Sequence, residues 1–181
     1  MGCGASLITL TFNERDAGPE FNATIMLFLV FQLGPDRYAL EASRVVEVVP
    51  LLELKRLPHA PKGVAGIFNY HGHPIPAVDL AELTLGRSAQ ESLSTRIIIV
   101  KQQDQHGCDQ LLGLIAENAT DILRKNEAEL RAAAPPVRSA PHFGPAFMDS
   151  RGPVQCLREQ FLLPEPVRDL LFSEAAKFAR S

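Results

Sequence analysis

Tryptophan is absent from the 181 residues, and tyrosine occurs only twice. A surface that stacks nucleobases needs several such rings with cations between them. The cations are not concentrated either: 18 Lys and Arg stand against 21 Asp and Glu, a net charge of −3, with no basic stretch. Nucleic acid binding through phosphate neutralisation is therefore not expected. Long apolar runs are also missing. The longest, Ile25 to Phe31, is strand-sized, far short of the ~20 residues that cross a bilayer, so no direct membrane insertion is expected. Cysteine is scarce: Cys3, Cys108 and Cys156 are odd in number and widely spaced. That suits a reducing cytosol and argues against a disulfide framework or a cysteine zinc site. Neither Cys108 nor Cys156 has the cationic sequence neighbours that mark a thiolate nucleophile. The signatures G-x-S-x-G, G-x-x-x-x-G-K-[ST], G-x-G-x-x-G and H-E-x-x-H do not occur. His71 and His73 have the spacing of a strand-borne pair, with His59 nearby in sequence, but nothing fixes a further ligand to complete a metal site. Asp79 sits in the run PAVDL at a strand end, where a carboxylate caps a turn or a following helix. No catalytic, cofactor-binding or metal-binding residue is assigned.

What is present is core material and turn chemistry. The chain is 46% hydrophobic and 22% charged, ordinary values for a globular protein of one domain or two small ones. The stretch from Leu57 to Leu80 organises the rest. Val64–Phe68 and Ile75–Val78 are apolar runs around Tyr70-His71-Gly72-His73, and Gly72 supplies the positive φ that a tight hairpin turn needs. Pro74 and Pro76 cannot donate ladder hydrogen bonds, so the second strand must have a free side or a bulge. Before this hairpin, Leu27–Leu33 reads as a strand apolar on both faces until Gln32, Gly34–Arg37 as a turn, and Tyr38–Leu40 as its return. Val45–Val49 is a β-branched run interrupted by Glu47. Alternation puts Val46 and Val48 on one face and Val45, Glu47 and Val49 on the other. Glu47 is either a solvated edge residue or placed for a partner. After the hairpin, Leu80–Leu85 reads as a short helix ended by Gly86, Arg96–Lys101 as a buried strand, and Leu111–Ile115 and Thr120–Leu123 as two strands. Ala132–Pro145 reads as a loop. Pro145–Met148 and Gln155–Leu157 flank the turn Asp149–Gly152, Gln160–Leu163 is the last strand, and an amphipathic helix follows Pro164. Its apolar positions are Val167, Leu170, Leu171, Ala175 and Phe178; Arg168, Asp169, Glu174 and Lys177 form the wet side. Many short strands with frequent turns predict a mainly β chain of barrel or sandwich type. Residues 1–25 differ from the rest. They read as a disordered leader or a misassigned start ahead of Met26, although MGCGAS also fits the pattern for N-myristoylation.

The succession FLVFQLG-PDRYAL, VVEVV, LPHAPKGVAGIFNYHGHPIPAVDL, RIIIV and LLGLIAENATDIL resembles the CheW-like coupling domain of bacterial chemosensory systems. The central block carries most of the likeness, because Val64, Gly66, Asn69, Gly72, Ile75, Pro76, Asp79 and Leu80 match the family pattern at fixed spacing. The resemblance implies a domain over residues 26–176 made of two small five-stranded SH3-like β-barrels, with a short linking helix and a C-terminal helix. It implies a non-enzymatic adaptor, without cofactor, that binds a methyl-accepting chemotaxis receptor and a CheA-type histidine kinase. Its place is then cytoplasmic, at receptor arrays on the inner membrane. The length matches a stand-alone coupling protein, without kinase or receiver domains. Glu47 falls where the family carries a glutamate tied to partner binding. Glu47, Val45, Asn69, Tyr70, His71 and Gly72 form the expected partner-binding set. His71 stands where the family motif has arginine, and Tyr70 where it has leucine. Either the tip meets a different receptor, or this contact is lost. Phe147–Leu157 fits the pattern less well, with Pro153 inside an expected strand. A different class of reading is a small β-barrel module for a ligand or oligonucleotide, which the lack of stacking rings and basic stripe does not favour.

Overall fold

The strand β1 (Ile25–Leu33) buries both of its faces, and this sets the plan of the molecule. The computed structural model describes residues 25–103, 108–126, 129–130 and 140–179. The expected leader before Ile25 and most of the expected 132–145 loop lie outside the described residues. β1 turns at Gly34-Pro35 into β2 (Asp36–Glu41), and a 3-10 turn at Ala42–Arg44 leads to β3 (Val45–Pro50). The hairpin of β4 (Val64–Tyr70) and β5 (His73–Asp79) follows, then the short helix α1 (Leu80–Leu85). Next come β6 (Arg96–Gln103), β7 (Asp109–Asn126), β8 (Phe143–Asp149), β9 (Gly152–Leu157) and the helix α2 (Glu165–Phe178). No helix among the described residues is long and apolar enough to cross a membrane.

The fold is mainly β, as expected. Its ladders form two groups of five strands that share β7. One runs β3-β6-β7-β5-β4, and the other runs β7-β1-β2-β9-β8. The expected strands at Leu111–Ile115 and Thr120–Leu123 are one continuous strand. Its first part pairs with β6 from Arg96↔Ala116 to Gln103↔Asp109, and its second part pairs with β1. The handover lies at Glu117 and Asn118. Asn118 adopts φ 48°, and its side-chain amide donates to Gln32 Oε1 at 2.7 Å.

Neither group closes by a full ladder among the described residues. The first is nearly closed by the chain that continues from β3. Lys55 N–H donates to the Ile67 carbonyl at 2.8 Å, and Ile67 N–H donates back at 2.9 Å. Gly66 makes this approach possible, since a Cβ there would lie 2.5 Å from the Lys55 carbonyl oxygen. In the second group the outer strands β7 and β8 are linked by side chains. Lys125 Nζ donates to the Met148 carbonyl at 3.0 Å, and Arg151 pairs with Asp121.

The prolines obey one rule in both groups. β5 pairs with β7 only at Ala77, Val78 and Asp79, beyond Pro74 and Pro76. β9 pairs with β2 only at Gln155 and Cys156, beyond Pro153. The prolines thus sit where a strand has a neighbour on one side only, and no donor is missed.

Three apolar clusters explain the doubly apolar strands. Phe28 and Val30 of β1 enter a small interior with Ala39, Phe147, Val154 and Cys156. Ile97 and Ile99 of β6 enter another with Phe68, Ile75, Ala77 and Ile115. The alternate residues Leu29, Phe31 and Leu33 of β1 and Ile98 and Val100 of β6 meet in a larger joint core. α1 contributes Leu80 and Ala81 to it, and α2 contributes Leu171.

Two expectations fail near the C-terminus. Gln160–Leu163 is not a strand: Glu159–Phe161 is a 3-10 turn, and Leu162 and Leu163 drop from it into the joint core. Buried Glu159 holds the turn. Its carboxylate accepts from Arg44 Nε at 2.9 Å, and its carbonyl accepts from Gln102 Nε2 at 3.0 Å. On α2, Leu171 and Ala175 are buried while Leu170 faces out and Arg168 is half-buried. The apolar stripe is therefore narrower than its residue types suggest.

Candidate functional site

β3 and β4 are the two outer strands of the first group, and a cluster of exposed side chains joins them. The β4–β5 hairpin turns through His71 and Gly72 alone, with φ 51° and 86°. Two positive φ values are the signature of a type I′ turn, whose twist matches that of the flanking strands. Gly72 was the expected carrier of positive φ; His71 shares it. The Asn69 side-chain oxygen accepts the Gly72 N–H at 2.8 Å and fixes the turn from the strand side. Tyr70 therefore leaves the end of β4 in a set direction, and its hydroxyl donates to Glu47 on β3. That bond, together with burial and the Glu47 charge, raises the Tyr70 pKa, so the phenol stays a donor at neutral pH. The His71 ring stands edge-on to Tyr70, with centroids 4.4 Å apart. Its Nε2 lies 3.9 Å from Glu47 Oε2, with side-chain exposures of 74% and 47%.

The structure thus brings Glu47, Tyr70, His71, Gly72 and Asn69 together at one tip. Val45 is placed differently. The β3–β6 register shifts between Val45 and Glu47, which makes Val46 a bulge residue. The simple alternation expected for β3 fails for this reason. Val45 and Val48 pack against the joint core, Val49 packs against the β6 interior, and Val46 is 49% exposed beside Glu47. Val46, which the residue pattern assigned to a face shared with Val48, is exposed instead. A bulge has no composition signal of its own in a run of valines.

Other charged groups are committed to the fold. Asp79 caps α1 as expected: its Oδ1 accepts from Ala81 N at 2.9 Å and Glu82 N at 3.1 Å. Its Oδ2 accepts from Ala89 N at 2.8 Å. An open cleft of about 640 Å³ beside it is lined by Leu51, Leu54, Leu57, Ala65 and Glu82 among others. Glu117 takes both Arg87 nitrogens, at 2.7 and 3.1 Å, and the Gln90 N–H at 2.8 Å. Arg87 holds the Glu117 carboxyl below its ordinary pKa. Arg37 forks onto Asp149 at 2.6 and 2.7 Å, and these bonds pull the Asp149 pKa down to about 2. Burial pushes the Cys156 thiol up to about 11, the opposite of an activated nucleophile. Among the described residues no group of three or more His, Cys, Asp or Glu side chains is arranged to hold a metal ion.

The mainly β fold agrees with what comparison finds. The solved structure of the scaffolding protein TtCheW from Thermoanaerobacter tengcongensis superposes with a TM-score of 0.67 at 22% identity. The match covers 82% of this chain and 94% of that one. The chemotaxis protein CheW of Helicobacter pylori is 28% identical over 120 residues, 65% of this chain and 69% of that protein. CheW of Treponema pallidum is also 28% identical over 120 residues, 62% of this chain and 70% of that protein. The family model described as the CheW-like domain matches residues 27–160, a span that holds both five-stranded groups and the tip, and on that ground the chain belongs to the CheW-like family.

Proposed function

We propose that this chain is a non-enzymatic adaptor that couples a methyl-accepting chemotaxis receptor to a CheA-type histidine kinase in a bacterial chemosensory array. It acts on the cytoplasmic side of the inner membrane, through a coupling domain spanning residues 26–176. Membership of the CheW-like family supports the scaffold role. The observation that carries the contact assignment is the cluster that joins two outer strands, in which exposed Glu47 and His71 meet the hydroxyl of half-buried Tyr70. Charged and aromatic side chains held in a fixed arrangement are the composition of a protein-binding hot spot. Gly72 and Asn69 serve by shaping the turn. The receptor's helical hairpin meets this tip, and the kinase meets a second surface.

The test is co-sedimentation of the chain with receptor-bearing membranes, with and without the kinase. Wild-type protein is expected in the pellet, and with it the kinase. Glu47→Lys reverses the charge at the centre of the tip and is expected to lower receptor association about tenfold or more, since mispaired charge across an interface costs several kcal/mol. Its melting temperature should stay close to wild type, because the side chain is exposed. Failure of wild-type protein to pellet with either partner rejects the adaptor role. A large fall in melting temperature in Glu47→Lys rejects the assignment of Glu47 to a contact.

A further inference from the structure

The chain that continues β3 makes a free strand edge beside the open cleft. Lys55 and Ile67 exchange both of their backbone hydrogen bonds, at 2.8 and 2.9 Å. In an antiparallel ladder the residues on either side of such a pair aim their N–H and C=O groups the other way. Leu54 and Arg56 therefore turn these groups away from β4. Among the described residues neither makes a backbone–backbone hydrogen bond, and both line the cleft of about 640 Å³. Ala89 and Glu91 line it from the segment after α1. That wall is fixed, because Asp79 accepts the Ala89 N–H and Glu117 accepts the Gln90 N–H. The cleft is also acidic. Glu53, Glu82 and Glu91 line it together with Asp79, against Arg56 as the one lining cation among the described residues. The carboxylates of those three glutamates have no hydrogen bond or ion pair among the described residues. Lys55, the next cation along the edge, stands over the Phe178 ring, 4.4 Å from its centroid.

We propose that this cleft takes an extended segment of a partner protein, with arginine or lysine alternating with aliphatic side chains, added as a strand along the Leu54–Arg56 edge. An unpaired edge is a template for strand addition, in which main-chain bonds give affinity and alternate side chains give specificity. A helix spends its backbone groups on itself and has none to give this edge. Successive side chains of a strand point to opposite faces, so cations on one face meet the glutamates while aliphatic groups on the other meet Leu51 and Leu54. Charge selects the occupant. An acidic segment is repelled by the three glutamates, and an uncharged one dries them without a partner, which is costly. The proposal goes beyond the adaptor reading and does not rest on it, since no residue of the β4–β5 tip lines the cleft.

The full chain is titrated with three synthetic peptides, each carrying one terminal tryptophan as the fluorescent reporter, because the chain has none. The first alternates arginine with valine, the second glutamate with valine, and the third arginine with proline. The arginine–valine peptide is expected to bind and to shift the amide resonances of Leu54 and Arg56. The arginine–proline peptide keeps the charge but has no donors at its prolines, and is expected to bind about tenfold more weakly, the scale of lost ladder hydrogen bonds. The glutamate–valine peptide is expected not to bind. Glu53→Gln combined with Glu91→Gln should weaken the arginine–valine peptide about fivefold, the scale of two exposed ion pairs. Both side chains are exposed, so the variant is expected to fold as the wild type does. Glu174→Gln, on α2, should leave the affinity unchanged. Failure of the arginine–valine peptide to bind, equal affinity for the arginine–proline peptide, or an affinity that survives the paired glutamate substitutions overturns the proposal. Each of these results leaves the adaptor reading standing, because that reading is decided by co-sedimentation with receptor and kinase.

Discussion

Asp149 and Arg37 lie 112 positions apart in sequence, and each is nearly covered, with 7% and 10% of its side chain exposed. Their forked pair ties β2 to the end of β8, and Asp149 also accepts the Arg151 N–H at 2.7 Å. The folded-state pKa of Asp149, about 2, lies below the ordinary carboxylate value. Its contribution to stability is therefore complete above about pH 4 and is lost as pH falls through 2. Asp149→Asn is expected to lower the unfolding free energy by about 2 kcal/mol at pH 7, the scale of charged hydrogen bonds removed from a shielded donor. The difference from wild type should shrink as pH is lowered from 4 to 2. Urea titrations across that range check it, and a difference independent of pH would show that the loss is packing alone. Nothing in the sequence pointed to this pair, because an arginine and an aspartate at turns are read as solvated until the fold brings the turns together.

The β4–β5 hairpin is the element in which local sequence decided most. Two apolar runs around a glycine predict the hairpin, the Asp79 cap and the Gly86 end predict α1, and all three are found. What local sequence left open is how the turn divides its strain. His71 sits at φ 51°, where a Cβ is uncomfortable, and type I′ turns prefer Asn-Gly. His71→Asn is expected to stabilise the chain by about 0.5 kcal/mol, raising the melting temperature by about 1–2 °C for a chain of this size. Thermal melts test this, and a lower melting temperature would show that the histidine ring packing against Tyr70 outweighs the backbone gain. β3 shows the opposite case. Its valines announce a strand, but the bulge at Val46 comes from the register against β6, which no property of β3 alone contains.

At the scale of the whole molecule, the joint core is expected to make the two five-stranded groups one cooperative unit. It gathers Leu29, Phe31 and Leu40 from one group, Val78, Ile98 and Leu114 from the other, and Leu171 from α2. Leu171 is 1% exposed. Leu171→Ala is expected to cost about 3 kcal/mol, the usual scale for a buried leucine that leaves a cavity. Unfolding should remain a single transition, with matching calorimetric and van't Hoff enthalpies, in both wild type and variant. Two separated transitions would show that each group holds its own fold and that the joint core is only a contact. The runs FLVFQL and RIIIV were legible as strands apolar on both faces, and the shared core is the reason they are so.

The sequence by itself determined the mainly β composition, the central hairpin, the capped short helix, the C-terminal helix and the resemblance to coupling domains. The hairpin and the two helices rest on spacing within about twenty residues, where side-chain period, proline and glycine act without help from distant chain. The tertiary structure alone decided that β7 runs unbroken through both groups, that Leu162 and Leu163 reach the core from a turn, and that Val46 points outward while Val45 points in. It also placed Glu47 against a histidine and a tyrosine more than twenty residues away. Those outcomes depend on which edges meet and in what register, and register is a property of two strands together.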